Sequence, residues 1–234
     1  MYVYGKNTVN EVLNNNKKVY KAYIYEDFSD RNIVSELQKR NIKIEFMSKR
    51  ELDKIEKGNH QGIILDIPDH QFLSLEEMLS KITGEPFIII LDHLEDPHNL
   101  GAIIRTCEAA GVDGIIIPKD RSVDINATVM KVSSGALSNV SVCKVTNINN
   151  TIDELKKRGI WIIGTVMEEG VPYDSIDYNI PLALIIGNEG RGLSHLTKEL
   201  CDFKVYIPMK GKINSLNASV AAGIMIYKIV EKRI

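Results

Sequence analysis

The chain has 234 residues, 44% of them hydrophobic and 26% charged, with a formal net charge of −2. This is enough chain for one large domain or two small ones, with the composition of an ordinary globular protein. The near-neutral balance decides nothing about nucleic acid, because a phosphate backbone senses local field rather than net charge. Cys107, Cys143 and Cys201 are odd in number and far apart, which excludes a disulfide framework and reads as small buried hydrophobes in a reducing compartment. No apolar run is long enough to span a bilayer and the opening residues lack a signal-peptide core, so a soluble cytoplasmic protein is expected.

Along the chain, the first third alternates. "VYKAYIYE" predicts a strand, "SDRNIVSELQKRN" an amphipathic helix with a Ser/Asp start, and "IKIEFM" a second strand. "SKRELDKIEK" predicts a helix with Ser48 and Glu51 as a capping box and Gly58 as its stop, followed by the strand "QGIILDI". Residues 1–70 therefore form a small α/β domain. Two prolines then flank a short helix capped by Ser74 and Glu77, and residues 71–85 are expected to be a linker. From residue 86 to 234 the pattern changes in kind. "FIIILD", "GIIIP", "SVCKV", "IWIIGTV" and "LALIIG" are continuous apolar runs, as in a parallel sheet buried on both faces. The helices "NLGAIIRTCEAAG", "INATVMKVSSGALS" and "TIDELKKRG" fall between them, with Gly111 and Gly159 as C-terminal caps. Ligands of such sheets bind beyond the carboxyl ends of the strands, which directs attention to the loops after Ile90, Ile163 and Ile186.

Three segments carry candidate chemistry. In "LDHLEDPHNLGAIIRTCEAAG", Asn99 is placed as an N-cap, and Leu100, Ile103, Ile104 and Cys107 share one helical face. Arg105 points away from that face; its ordinary role would be a solvated pair with Glu108. The cluster Asp92, His93, Glu95, Asp96 and His98 has no metal-ligand spacing, and no metal is expected. "ALIIGNEGRGLS" runs a buried strand into three glycines without a phosphate-binding lysine or a dinucleotide fingerprint, and holds Glu189 at the strand's carboxyl end. "KVYIPMKGKINSLNAS" ends a strand at Ile207, breaks at Pro208 and Gly211, and leads to a last helix for which Ser215 is the expected cap. That helix is apolar on every side, so both of its sides must be covered.

Together, "DPHNLGAIIRTCEAAG", "LIIGNEGRGLS" and "IPMKGKINSLNASVAAGI" resemble the three motifs of the SPOUT methyltransferases of TrmH type, the RNA 2′-O-ribose methyltransferases. "YGKNTVNEVL" and "GNHQGIIL" resemble the amino-terminal substrate-binding domain of the RlmB branch, which modifies a guanosine of large-subunit (23S) ribosomal RNA. The resemblance implies an α/β catalytic domain with a parallel sheet and a deep trefoil knot over about residues 160–234, preceded by the small substrate-binding domain. It implies S-adenosyl-L-methionine as cofactor, held by Thr165, Val166 and Met167, by Ile186, Gly187, Asn188 and Gly190, and by Ile207, Met209, Ser215 and Leu216. The positions matching the family's functional residues are Asn99, Arg105, Glu189, Ser215 and Asn217.

The reaction so implied is methyl transfer to a ribose 2′-hydroxyl. The small residues Ala218, Ala221, Ala222 and Gly223 of the last helix fit the family's homodimer, packed through that helix. RNA contacts are expected from Lys6, Asn7, Lys17, Lys18 and Lys21 near the start and from Lys119, Arg121 and Arg191 near the pocket. The competing readings are a tRNA 2′-O-methyltransferase of the same family and a non-catalytic RNA-binding or ribosome-assembly factor on this fold. The intact five positions weigh against the last.

Overall fold

The computed structural model describes residues 1–167, 169–212 and 215–233. Among them the chain forms two compact units.

The first unit, Met1–Gln71 with Ile125–Ser138, holds a four-stranded sheet. Strands β1 (Tyr2–Tyr4), β2 (Lys21–Tyr25), β3 (Lys43–Met47) and β4 (Ile63–Asp66) lie in the order β1-β4-β2-β3, with only β2 and β3 parallel. Helices α1 (Lys6–Asn14), α2 (Arg31–Lys39) and α3 (Lys49–Ile55) pack on it, burying Val3, Ala22, Ile24 and Ile63 through Leu65 completely. β1 and α1 have no counterpart in the sequence reading, because three residues carry no alternation and "NEVLNNN" is a poor helical signal. The box at Ser48 is real: the Glu51 carboxylate accepts from the Ser48 N–H at 2.9 Å and its hydroxyl at 2.7 Å, which lowers the Glu51 pKa. Gly58 does not end α3. The helix stops at Ile55 with Glu56 in extended backbone, and Gly58 is needed because a side chain there would run into the Tyr4 ring.

The second unit, Phe72–Asp124 and the chain from Asn139 onward, is built on seven parallel strands. In chain order it contains α4 (Leu75–Ser80), β5 (Phe87–Leu91), α5 (Pro97–Ala109) and β6 (Gly114–Pro118). The chain then leaves for α6 (Ala127–Ser133) and returns as β7 (Val142–Val145), α7 (Ile148–Lys157), β8 (Trp161–Thr165) and the short β9 (Val171–Pro172). β10 (Leu182–Ile186), α8 (His195–Leu200), β11 (Phe203–Tyr206) and α9 (Ala218–Arg233) complete it. The sheet order is β7-β6-β5-β10-β8-β11-β9. β5, β6 and β10 are buried at every residue, as their unbroken apolar runs require. After β10 has paired between β5 and β8, the chain crosses back to lay β11 on the far side of β8. That crossing order is consistent with the trefoil knot the resemblance implies.

Two boundary expectations change. Residues 72–85 belong to the second unit: the Leu73 N–H donates to Val142 O at 2.9 Å and α4, with its Ser74–Glu77 box, packs against β7. α6, expected in the catalytic domain, groups with the first unit, burying Val129 and Met130 and packing against β1. Its periodicity specifies a buried face and cannot specify which sheet covers it.

The last residue of α9 is tied down. Arg233 donates to the carbonyls of Tyr178 (3.0 Å), Pro86 (3.1 Å), Glu85 (3.3 Å) and Ile180, and its guanidinium lies 5.0 Å from the Phe87 ring centroid.

Candidate active site

Beyond the carboxyl ends of β8, β10 and β11, where ligands of parallel sheets bind, lies a cavity of about 650 Å³. The end of β8 and the loop after it supply Thr165, Val166 and Met167. The end of β10 and the loop after it supply Ile186, Gly187, Asn188, Glu189 and Arg191. Ile207 and Met209 follow β11, and Ser215 and Leu216 precede α9, whose first turns close the wall with Ala218, Ala221 and Met225. Of the eleven positions named from the sequence for the cofactor, ten line this cavity and Gly190 does not. Sequence reasoning missed Glu169 and Lys198 on the same wall. Glu169 lay in a loop already marked for search, whereas nothing local to Lys198 places it there.

The loop after β10 has its shape for backbone reasons. A Cβ on Gly187 would sit 2.6 Å from the Gly192 carbonyl carbon and 2.7 Å from the Leu193 nitrogen, so only glycine fits. Asn188 folds the loop on itself. Its Oδ1 accepts from the N–H of Gly190 (3.0 Å) and Arg191 (3.3 Å), and its Nδ2 donates to His93 O at 2.8 Å. Asn188 is thus the brace of the loop as well as part of the wall.

Three of the five expected functional residues form one chain of hydrogen bonds. Asn217 Nδ2 donates to Asn99 Oδ1 at 2.9 Å, and Asn99 Nδ2 donates to Glu189 Oε1 at 2.8 Å. Asn99 is buried, on the face of α5 that packs against α9. Both cap assignments shift. α5 begins at Pro97 with Asp96 as its cap, accepting from the His98 N–H at 2.9 Å, so Asn99 lies inside the helix and its side chain is released to the site. α9 is capped by Asn217 rather than Ser215: Asn217 Oδ1 accepts from the N–H of Ser219 (2.9 Å) and Val220 (3.3 Å), and its carbonyl accepts from the Ala221 N–H (2.9 Å). Ser215 is left on the cavity wall.

Arg105 stands apart. It is exposed on α5, does not line the cavity, and has no carboxylate partner among the described residues. The expected pair with Glu108 does not form, because Glu108 Oε1 takes the Asn139 amide at 3.0 Å. The acidic and imidazole cluster is spent on structure: Asp92 Oδ1 lies 2.5 Å from His93 Nδ1, and Asp96 caps α5. Among the described residues no His, Cys, Asp and Glu group could hold a metal ion. The thiols offer no nucleophile, since burial pushes Cys143 and Cys201 up to about 11 and Cys107 higher still. Of the RNA-contact candidates, Lys6 and Asn7 open α1 in the first unit, with Lys6 Nζ 5.2 Å from the Phe28 ring centroid. Lys119 and Arg121 are exposed after β6, and Arg191 is exposed on the cavity wall.

A parallel α/β unit with a cavity at its strand ends, and a small α/β module beside it in the chain, define an α/β protein whose ligand site lies at the carboxyl edge of its sheet. The chain belongs to the SpoU/TrmH family of RNA methyltransferases: the SpoU rRNA methylase family matches residues 86–227, and the RNA 2′-O ribose methyltransferase substrate-binding family matches residues 2–73. It is similar to YacO of Bacillus subtilis, assigned to the TrmH-family tRNA/rRNA methyltransferases, with 42% identity over 99% of this chain and 96% of the relative. The fold is similar to that of AviRb, a SpoU methyltransferase of Streptomyces viridochromogenes solved in complex with AdoMet, at a TM-score of 0.82 and 24% identity over 100% of this chain and 90% of that one. A TrmH/SpoU tRNA-modifying enzyme of A. aeolicus matches 68% of this chain and 80% of its own, at a TM-score of 0.59 and 34% identity.

Proposed function

We propose that the protein transfers a methyl group from S-adenosylmethionine to a ribose 2′-hydroxyl in RNA, with a guanosine of large-subunit ribosomal RNA as the target. The observation that carries this reading is the strand-end cavity whose wall holds Ser215 and Glu189, the latter gripped by the Asn99–Asn217 pair. The residues present fit the cofactor. The volume suits a ligand of that size. Ile186, Ile207, Leu216 and Met225 offer an apolar wall for an adenine ring, while Glu169 and Glu189 suit a ligand that carries a sulfonium and an ammonium.

When bound, the cofactor supplies a methyl group made electrophilic by its sulfonium. The chain's own residues must align a poor nucleophile and ease its proton loss. Ser215 and Glu189 shape the pocket beside the ribose, and Asn99 and Asn217 hold Glu189 in place. Arg105, exposed and without a carboxylate partner among the described residues, offers a planar fork to the target's phosphodiester. A guanidinium has no acceptor lone pair, so Arg105 is assigned as a clamp and not as the base.

A cytoplasmic homodimer accompanies this reading. Val220, Ile224 and Tyr227 recur along one side of α9 and stay 50%, 36% and 51% exposed, and the space over Gly223 is open. Such a stripe suits a second copy of the same helix.

Transfer of tritiated methyl from S-adenosylmethionine to ribosomal RNA and to tRNA, followed by mapping of the alkali-resistant linkage, tests the activity and the target together. Labelled 2′-O-methylguanosine in ribosomal RNA is the expected result. Label confined to tRNA would move the target to the alternative substrate, and no transfer to either would overturn the reading. Arg105→Lys separates clamp from base: substantial activity of this variant across the pH range would remove the clamp.

A further inference from the structure

We infer that Asn217 and Asn99 form a one-way hydrogen-bond wire that orients the Glu189 carboxylate from the N-terminus of α9, which makes both amides positioning residues. The direction is dictated by backbone. The free N–H groups of a helix N-terminus can only donate, and three donors, the Ser219 N–H (2.9 Å), the Ser219 hydroxyl (2.6 Å) and the Val220 N–H (3.3 Å), converge on Asn217 Oδ1. With its oxygen so committed, the Asn217 amide must turn its nitrogen towards Asn99, at 2.9 Å. Asn99 then has to present Oδ1 to Asn217 and Nδ2 to its other neighbour, which must be an acceptor; Glu189 Oε1 is that acceptor at 2.8 Å. Each amide has one orientation that satisfies its neighbours. Asn99 is 5% exposed, so a mismatch there has no water to relieve it. Neither Asn99 nor Asn217 lines the cavity, whereas Glu189 does.

The wire rests on the proposed function only for its catalytic consequence, and its polarity can be tested without turnover. Asn217→Asp keeps an excellent cap but removes the donor. The carboxylate so introduced would force Asn99 to flip and set its oxygen against the Glu189 carboxylate. Adding Glu189→Gln restores a complete wire running the other way: the introduced amide nitrogen donates to Asn99 Oδ1, and Asn99 Nδ2 donates to the carboxylate that caps α9. Glu189→Met removes the same charge and supplies no donor.

Thermal unfolding of the full-length protein is therefore measured for N217D, N217D/E189Q and N217D/E189M. N217D is expected to lose about 4–8 °C, N217D/E189Q to regain at least half of that, and N217D/E189M to regain clearly less. An N217D protein as stable as the wild type would reduce Asn217 to a helix cap and overturn the wire. Equal recovery with Gln and Met would reduce the coupling to charge and overturn it as well. In methyl transfer, N217D is expected to lose at least tenfold in kcat with RNA affinity unchanged. A wild-type protein that transfers no methyl group would refute the proposed function and leave the unfolding comparison intact as a test of the wire.

Discussion

Replacing Gly187 by alanine probes whether the loop after β10 is closed by necessity. The added Cβ would lie 2.6 Å from the Gly192 carbonyl carbon and 2.7 Å from the Leu193 nitrogen. Ordinary contact begins near 3.4 Å, so the two backbone segments must part by roughly 0.8 Å, and backbone cannot swing aside as a side chain can. The separation also strains the bond from the Gly192 N–H to Asn188 O, 2.9 Å long, and the Asn188 brace with it. Overpacking of this kind costs about 1–3 kcal/mol, and a rigid partner places it in the upper half of that range. For a chain of this size that is a fall in Tm of about 4–12 °C. Because Gly187 and Asn188 line the cavity, affinity for S-adenosylhomocysteine in isothermal titration is expected to drop at least tenfold. Gly190→Ala is the control: its Cβ meets only Asn188 Oδ1, at 3.7 Å, and Tm should stay within about 2 °C of wild type. A Gly187→Ala protein with wild-type Tm and affinity would refute the account of the loop.

Further outcomes follow from the same geometry. Arg233→Met leaves the carbonyls of Tyr178, Ile180, Glu85 and Pro86 without their cationic donor and should cost about 2–4 kcal/mol, read as a lower urea midpoint. Ile224→Glu places a charge in the middle of the exposed α9 stripe; sedimentation should find a folded monomer, and a persistent dimer would move the interface elsewhere. The Tyr178 hydroxyl donates to Tyr173 O at 2.5 Å, and burial first, then nearby Asp174, pushes its pKa up to about 12. Because the folded value lies above the unfolded value near 10, this contribution is complete below pH 10 and disappears as pH rises through 12. Tyr178→Phe should therefore flatten the loss of stability between those values in urea titrations.

Much of this was legible in the sequence because the chain writes buried strands plainly. "FIIILD", "GIIIP" and "LALIIG" have no polar side to mistake, and of the three loops marked from the buried strands those after Ile163 and Ile186 meet at one cavity, while the loop after Ile90 does not line it. What failed was register at helix starts. Asp96-Pro97 was a proper N-terminal signal, but Asn99 is a natural cap in its own right and drew the assignment. Ser215 and Asn217 are both good caps, and only the positions of the Ser219 and Val220 N–H groups decide between them. The allegiance of α6 was invisible for another reason: a helix's apolar stripe is local, while the sheet that buries it is not. The view of α9 as uniformly covered also needed the structure, which leaves Val220, Ile224 and Tyr227 open along one side.

The clamp at Arg233 bears on how the molecule comes into being. Its acceptors lie 147 and 148 residues upstream, at Pro86 and Glu85, and 53 and 55 residues upstream, at Ile180 and Tyr178. A ribosome makes these acceptors well before residue 233, so the edge where β5 begins and the segment entering β10 wait unfastened until the chain has grown past it. The first unit has every one of its residues by position 138 and can settle while the chain is still growing. The second unit cannot gain this clamp until residue 233 has emerged from the exit tunnel, so its closure follows that of the first.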